Sequence, residues 1–137
     1  MGEVRVKVKL TNTIDEALVR RGKLDEKEIR HYEADALVDT GAVLSVVPRN
    51  VMDQLGVLKI GNRVPEYADG RNDVVSLTEP ITFNINGRIT IEPAMVLGDE
   101  VIIGQTILEV LDLLVDCNRR EVIPNPAHPD QPIVKIK

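Results

Sequence analysis

Cysteine and aromatic residues are scarce in this sequence. Cys117 is its single cysteine, so no disulfide can form within the chain, and a reducing compartment is expected. Tryptophan is absent, and aromatic residues make up 2% of the chain, with Phe83 as the one phenylalanine. The core must therefore be built from valine, isoleucine and leucine, and β-branched residues favour strands.

Metal ligands and basic stretches are also scarce. One cysteine and two distant histidines, His31 and His128, form no recognisable ligand set, so neither a metal nor another cofactor is expected. The 17 basic residues are outnumbered by 22 acidic ones, and the net charge is −5. This balance, without a basic stripe that carries aromatic residues, argues against a nucleic-acid partner.

Long hydrophobic runs are missing as well. No apolar run approaches the length of a membrane span, so no membrane partner is expected. Residues 1–10 alternate charged and apolar side chains and do not resemble a signal peptide. This pattern favours a cytoplasmic protein. Hydrophobic residues still make up 43% of the 137 residues, which suits one domain with its own core.

Short apolar segments separated by turn residues fill most of the chain. Residues 4–10 alternate strictly and predict a half-exposed strand, and a similar pattern predicts a terminal strand over residues 133–137. The turns Asp69-Gly70 and Asn86-Gly87 predict β-hairpins. Short helices are expected over residues 49–55 and 105–112, and the charged residues 11–31 are expected to form a surface excursion. The whole pattern is typical of an all-β barrel or sandwich.

An aspartate interrupts the apolar run ALVDTGAVLSVVP, residues 36–48. Asp39 is followed there by Thr40, Gly41 and Ala42. A carboxylate in dry surroundings is costly unless it is paired, hydrogen-bonded or neutralised. One interpretation is a simple turn between two strands, and the other is that the carboxylate takes part in chemistry.

The order of these features resembles the retropepsin-like aspartic proteases. An apolar strand leads into Asp-Thr-Gly-Ala, a hairpin with glycine at its tip follows, and Ile-Ile-Gly precedes a helix. The resemblance covers roughly residues 4–122. It implies an all-β fold, a retropepsin-like closed β-barrel with a flap hairpin and one or two short helices. It also implies a single domain over residues 1–137, with residues 11–31 as a charged insertion.

The resemblance gives each residue of the motif a role. Asp39 would be the catalytic carboxylate of an aspartic endopeptidase. Two carboxylates about 3 Å apart share one proton, so one activates a water and the other protonates the substrate carbonyl. Thr40 would bond to the opposing loop, Gly41 would let the backbone approach the carboxylates, and Ala42 would keep the pocket wall small.

A flap and a supporting element follow from the same resemblance. The flap would be the tip of the hairpin over residues 63–76, formed by Tyr67, Ala68, Asp69 and Gly70. The structural support of the active loop would come from Ile103 and Gly104. The substrate would be a peptide or an unfolded protein.

A single Asp-Thr-Gly sequence supplies one carboxylate to a reaction that needs two. The resemblance implies a homodimer in which each chain contributes Asp39. An internal alternative is Asp116, which also follows an apolar run but lacks the Thr-Gly. A different class of function is a catalytically silent module for binding or dimerisation that keeps the fold. A third hypothesis is a generic β-barrel in which Asp39 is exposed and unpaired.

Overall fold

The computed structural model describes residues 2–136 of the chain. The strands and helices are, in chain order, β1 (Arg5–Asn12), α1 (Thr13–Arg20), a 3-10 turn (Glu26–Glu28), β2 (His31–Val38), β3 (Val46–Val47), α2 (Arg49–Leu55), β4 (Lys59–Arg63), β5 (Val75–Thr78), β6 (Ile81–Ile85), β7 (Arg88–Glu92), β8 (Met95–Val96), β9 (Ile102–Ile103), α3 (Gln105–Leu111), β10 (Leu113–Asp116) and β11 (Glu121–Pro124). In the described part of the chain, no helix is both long and apolar enough to cross a bilayer.

Most of the strands belong to one curled sheet. Its nine strands lie in the order β4-β5-β8-β3-β9-β2-β1-β6-β7, and β10 pairs with β11 in a separate hairpin. The prediction of a mostly β fold is confirmed, and residues 2–136 contain three short α-helices where one or two were expected. The closed barrel is not confirmed, because β4 and β7 remain edge strands of this sheet among residues 2–136.

The core is aliphatic, as the composition requires. Val6, Val8 and Leu10 point inward from β1, while Lys7 and Lys9 between them are exposed. This alternation confirms the strand predicted for residues 4–10. Leu10 also lies opposite Phe83 across the pair of strands β1 and β6, and both side chains are fully buried. Burying a side chain of this size stabilises the fold by about 1.5–3 kcal/mol.

The prediction that residues 11–31 form a surface excursion is wrong at the start of this segment, where Thr11, Asn12 and Asp15 are buried, while residues 16–31 are exposed or half-buried. Asn12 closes β1 and is buried, and its backbone N–H donates to the carbonyl of Arg30 at 2.9 Å. Asp15 is also buried and accepts from Nε and Nη2 of Arg30, each at 2.9 Å. A second bond runs from Asn12 Nδ2 to the carbonyl of Leu55 at 2.8 Å. The segment is therefore fastened to the core by paired polar groups.

The strand predicted at the C-terminus is wrong for residues 133–136, and residue 137 lies outside the described residues. The backbone N–H of Ile133 donates to Asp112 Oδ2 at 3.1 Å. A side chain thus takes the hydrogen bond that a neighbouring strand would have accepted.

Candidate active site

Asp39 lies where the chain leaves the centre of the sheet. Leu37 and Val38 of β2 pair in parallel with Ile102 and Ile103 of β9. The backbone N–H of Asp39 donates to the carbonyl of Ile103 at 3.0 Å. The start of the following loop, residues 39–45, is thereby fixed by β9. This segment is called the Asp39 loop below.

The Asp39 carboxylate is held by its own loop. Its Oδ1 accepts from the backbone N–H of Gly41 at 2.9 Å, and the N–H of Ala42 donates to the carbonyl of Asp39 at 3.1 Å. A Cβ on Gly41 would lie 3.2 Å from Asp39 Oδ1, so the turn is tight. Asp39 and Thr40 are exposed and Ala42 is half-buried. The apolar run therefore orients this carboxylate toward solvent in the single chain and does not bury it.

Gly104 lies against the Asp39 loop so closely that a side chain has no room. A Cβ there would lie 2.8 Å from the carbonyl oxygens of both Ala42 and Leu44. The N–H of Gly104 donates to the buried Ser45 Oγ at 3.0 Å, and the N–H of Gln105 donates to Ala42 O at 2.7 Å. Ile103 and Gly104 thus lie directly beneath the loop. Ser45 was not predicted as part of this contact, and a hydroxyl within an apolar run was its one signal.

Thr106 and Glu92 were also not predicted: Thr106 contacts this loop, and Glu92 contacts Thr106. Thr106 Oγ1 lies 3.0 Å from the carbonyl oxygen of Val43 and 2.8 Å from Oε1 of Glu92, which ends β7. Burial raises the pKa of the half-buried Glu92 carboxyl, and the hydrogen bond from Thr106 opposes that rise. Nothing in the sequence pattern relates position 92 to position 106, because only the folded sheet brings them together.

The predicted hairpin with Asp69-Gly70 at its tip is present between β4 and β5. Gly70 takes a φ of 84°, and the N–H of Tyr67 donates to the carbonyl of Arg71 at 2.9 Å. The Arg71 guanidinium lies 4.9 Å from the centre of the Tyr67 ring, and the Tyr67 hydroxyl donates to Asp73 at 3.2 Å. These contacts are internal to the hairpin. The residues predicted for the flap all lie at its tip: Tyr67, Ala68, Asp69 and Gly70.

Asp116 occupies a different part of the molecule from the Asp39 loop. Its Oδ1 accepts from the backbone N–H groups of Asn118 and Arg119, each at 3.1 Å. The carboxylate thus closes the turn of the β10–β11 hairpin, outside the nine-stranded sheet. Across residues 2–136, no group of three or more histidine, cysteine, aspartate or glutamate side chains is placed to hold a metal ion.

Known proteins resemble this chain in structure. No family model and no curated protein matches its sequence. The EIAV protease in complex with the inhibitor HBY-793 matches with a TM-score of 0.53 and 20% identity, over 78% of this chain and 86% of that one. The retroviral protease-like domain of Ddi1 from Leishmania major matches with a TM-score of 0.54 and 13% identity, over 98% of this chain and 92% of that one. The chain has a retropepsin-like fold.

The retropepsin-like fold confirms the resemblance drawn from the order of motifs. It places the loop with Asp-Thr-Gly-Ala between β2 and β3, with Gly104 and the start of α3 packed beneath it. The motif and its glycine partner are 65 positions apart in sequence, from 39 to 104, and yet lie in direct contact. The contact between the motif and Gly104 therefore depends on the parallel pairing of β2 with β9.

Proposed function

We propose that the chain is an aspartic endopeptidase that hydrolyses peptide bonds as a homodimer, with one Asp39 from each subunit. One observation carries this proposal: an exposed Asp39 carboxylate on a tight Asp-Thr-Gly-Ala loop, within a retropepsin-like fold. A retropepsin-like fold alone supports no particular chemistry, since function resides in the site. The intact carboxylate on that loop is the reason to prefer a hydrolase over a silent binding module.

The chemistry follows from two carboxylates that face each other. Like charges so close cannot both persist, and the pair holds one proton between them. The ionised Asp39 accepts a proton from a water, whose oxygen adds to the carbonyl carbon of the substrate. The protonated Asp39 donates to the carbonyl oxygen. The tetrahedral intermediate then breaks its C–N bond, with a proton passing to the amine that leaves. No cofactor is required.

The homodimer supplies the second carboxylate. Each chain has one Asp-Thr-Gly, and the carboxylate of Asp116 is engaged with its own turn. A two-fold axis would bring the two exposed Asp39 loops together, with the same surface used by both subunits. The exposed Thr40 would then bond to the loop of the partner.

The substrate is proposed to be an extended peptide or an unfolded protein, bound as an added strand. The hairpin tip over residues 67–70 would act as a flap above it, completing a closed barrel. We assign residues 1–137 to one such domain, with residues 11–31 as an insertion. A cytoplasmic location suits a chain whose single cysteine, Cys117, is exposed as a free thiol.

Cleavage of an intrinsically unstructured protein by the purified chain tests the proposal. Asp39→Asn keeps the shape of the side chain but cannot serve as an acid or a base. We expect a loss of at least about 10²-fold to 10⁴-fold, the usual contribution of such a group. Asp116→Asn is the matched control and is expected to cleave at the wild-type rate. If neither the wild type nor Asp39→Asn cleaves, the silent binding module is the better hypothesis. If both cleave equally, Asp39 is not the catalytic carboxylate.

A further inference from the structure

The Thr106 hydroxyl faces two groups that can both accept its hydrogen. The carbonyl oxygen of Val43 lies at 3.0 Å and Oε1 of Glu92 at 2.8 Å. A hydroxyl has one hydrogen to donate, a carbonyl only accepts, and an ionised carboxylate only accepts. With Glu92 ionised, therefore, the hydroxyl can fully satisfy either Val43 or Glu92 but not both.

A proton on Glu92 removes this competition. The protonated carboxyl donates to Thr106 Oγ1, and the hydroxyl is then free to donate to the carbonyl of Val43. Val43 belongs to the Asp39 loop, and its carbonyl also accepts from the backbone N–H of Thr106 at 3.3 Å. The number of strong bonds that hold the loop at this point thus depends on one proton outside the loop.

We propose that Thr106 and Glu92 are positioning residues for the Asp39 loop, and that protonation of Glu92 completes a hydrogen-bond chain from Glu92 through Thr106 to Val43. Glu92, Thr106 and Val43 are together called the Glu92 chain from here on. The consequence for catalysis rests on the proposed function, whereas the effect on the loop does not. The Asp39 loop should then be held more firmly at acidic pH than at neutral pH.

The surroundings of Glu92 agree with a proton held there. Burial raises the pKa of this carboxyl, so the protonated form persists to a higher pH than in an exposed glutamate. The other charged side chains on β6, β7, α3 and the Asp39 loop are Arg88, Glu109 and Asp39. Arg88 donates to the carbonyls of Leu111, Asp112 and His128, Glu109 accepts from Gln105, and Asp39 accepts from Gly41.

Amide hydrogen exchange of the Asp39 loop tests the Glu92 chain directly. Protection factors of Gly41 and Ala42 would be measured from about pH 4 to about pH 8, which brackets a carboxyl with a raised pKa. In the wild type we expect protection to fall by about twofold to tenfold as pH rises, the effect of one hydrogen bond. Thr106→Val should show low protection of Gly41 and Ala42 at every pH, and Thr106→Ser should show the same pH dependence as the wild type.

Glu92→Gln is the decisive variant, because its amide donates to Thr106 at any pH. We expect it to keep high protection at the pH where the wild type loses it. Glu33→Gln removes the same charge from an exposed position on β2 and should leave the pH profile unchanged. If wild type, Glu92→Gln and Thr106→Val share one profile of protection against pH, the Glu92 chain does not hold the loop.

Cleavage assays separate this inference from the proposed function. We expect Thr106→Val to lower kcat with little change in KM, and Glu92→Gln to extend the active pH range upward. A wild type that does not cleave would overturn the protease, while the exchange profiles would still decide the Glu92 chain. If the wild type cleaves, but Thr106→Val and Glu92→Gln keep its kcat and its hydrogen-exchange protection, the Glu92 chain alone is overturned.

Discussion

Gly104 has no room for a side chain against the Asp39 loop. Its missing side chain lets the chain between β9 and α3 contact the carbonyls of Ala42 and Leu44, and these neighbours are backbone atoms that cannot rotate away. We predict that Gly104→Ala lowers the free energy of unfolding by about 1–3 kcal/mol, the usual effect of overpacking. Urea denaturation measures this loss. The cleavage rate of Gly104→Ala should also fall, because the added Cβ displaces the Asp39 loop.

Gly61→Ala is the matched control, since a Cβ there meets no atom within 4 Å and its φ is not positive. It should leave stability within about 0.5 kcal/mol of the wild type. Gly104→Ala would contradict the close packing described here if its denaturation curve coincided with that of Gly61→Ala.

Individual residues of the site differ in how far the sequence reveals them. Asp39 and Gly41 stand in a contiguous motif, so their proximity follows from chain order. Ser45 and Thr106 contact partners 59 and 63 positions away, at Gly104 and Val43. No periodicity marks such pairs, because the contact arises from strand pairing and not from local conformation.

An ion pair between the buried Asp15 and the exposed Arg30 helps to hold the segment that joins β1 to β2. Nε and Nη2 of Arg30 donate to the Asp15 carboxylate, which holds the pKa of Asp15 below its usual range. A lowered pKa stabilises the fold above the ordinary carboxyl range, and this contribution is lost as pH falls through the lowered value. We predict that Asp15→Asn costs about 1.5–3 kcal/mol near pH 7, as expected for hydrogen bonds to a charged group.

Urea unfolding at pH 7 and again near pH 3 checks this sign. The difference between Asp15→Asn and the wild type should shrink at the lower pH, because the Asp15 carboxylate of the unfolded wild type, whose pKa is ordinary, gains a proton there before the folded one does. Asp25→Asn serves as control, because Asp25 caps the 3-10 turn of the same segment but is exposed. A difference that stays the same at both pH values would show that the charge of Asp15 is not the cause.

The segment after β11 is tied to the end of α3 by Asp112. Its carboxylate accepts from Asn125 Nδ2 at 3.0 Å and from the Ile133 N–H at 3.1 Å, and it lies 2.6 Å from His128 Nδ1. Asp112 has a φ of 55°, so Asp112→Gly removes the carboxylate without straining the backbone. We predict faster proteolysis within residues 125–136 in this variant, followed by mass spectrometry. Unchanged cleavage there would mean that other contacts fasten the segment.

Strands and turns were predictable where the signal is local, and their arrangement was not. The pairs Asp69-Gly70 and Asn86-Gly87 mark hairpins because few other residues accept such tight turns. The parallel pairing of Leu37 with Ile102 carries no local mark. The strand pattern left barrel and sandwich open, and the closed barrel was implied by the family resemblance, whereas the sheet of residues 2–136 keeps two edges. Alternation shows which face of a strand is buried but not which strand lies beside it.

The proposed homodimer makes association depend on pH. Two facing Asp39 side chains share a proton at low pH, and they become two like charges once that proton is lost. Association of the wild type should therefore weaken as pH rises, since the second charge opposes the contact. Asp39→Asn has no charge at this position and should associate at neutral pH as tightly as the wild type or more tightly.

The proposed homodimer also makes activity depend on enzyme concentration. Specific activity of the wild type should rise with enzyme concentration until the dimer is saturated.

Sedimentation of wild type and Asp39→Asn from about pH 5 to about pH 8 measures how association depends on pH. Asp116→Asn is the control, because the Asp116 carboxylate closes the turn of the separate β10–β11 hairpin, and this variant should leave the wild-type profile unchanged. Parallel profiles for wild type and Asp39→Asn would mean that the two carboxylates do not meet. A monomer that cleaves at full rate, and that loses activity in Asp116→Asn, would replace the homodimer with an internal pair of carboxylates.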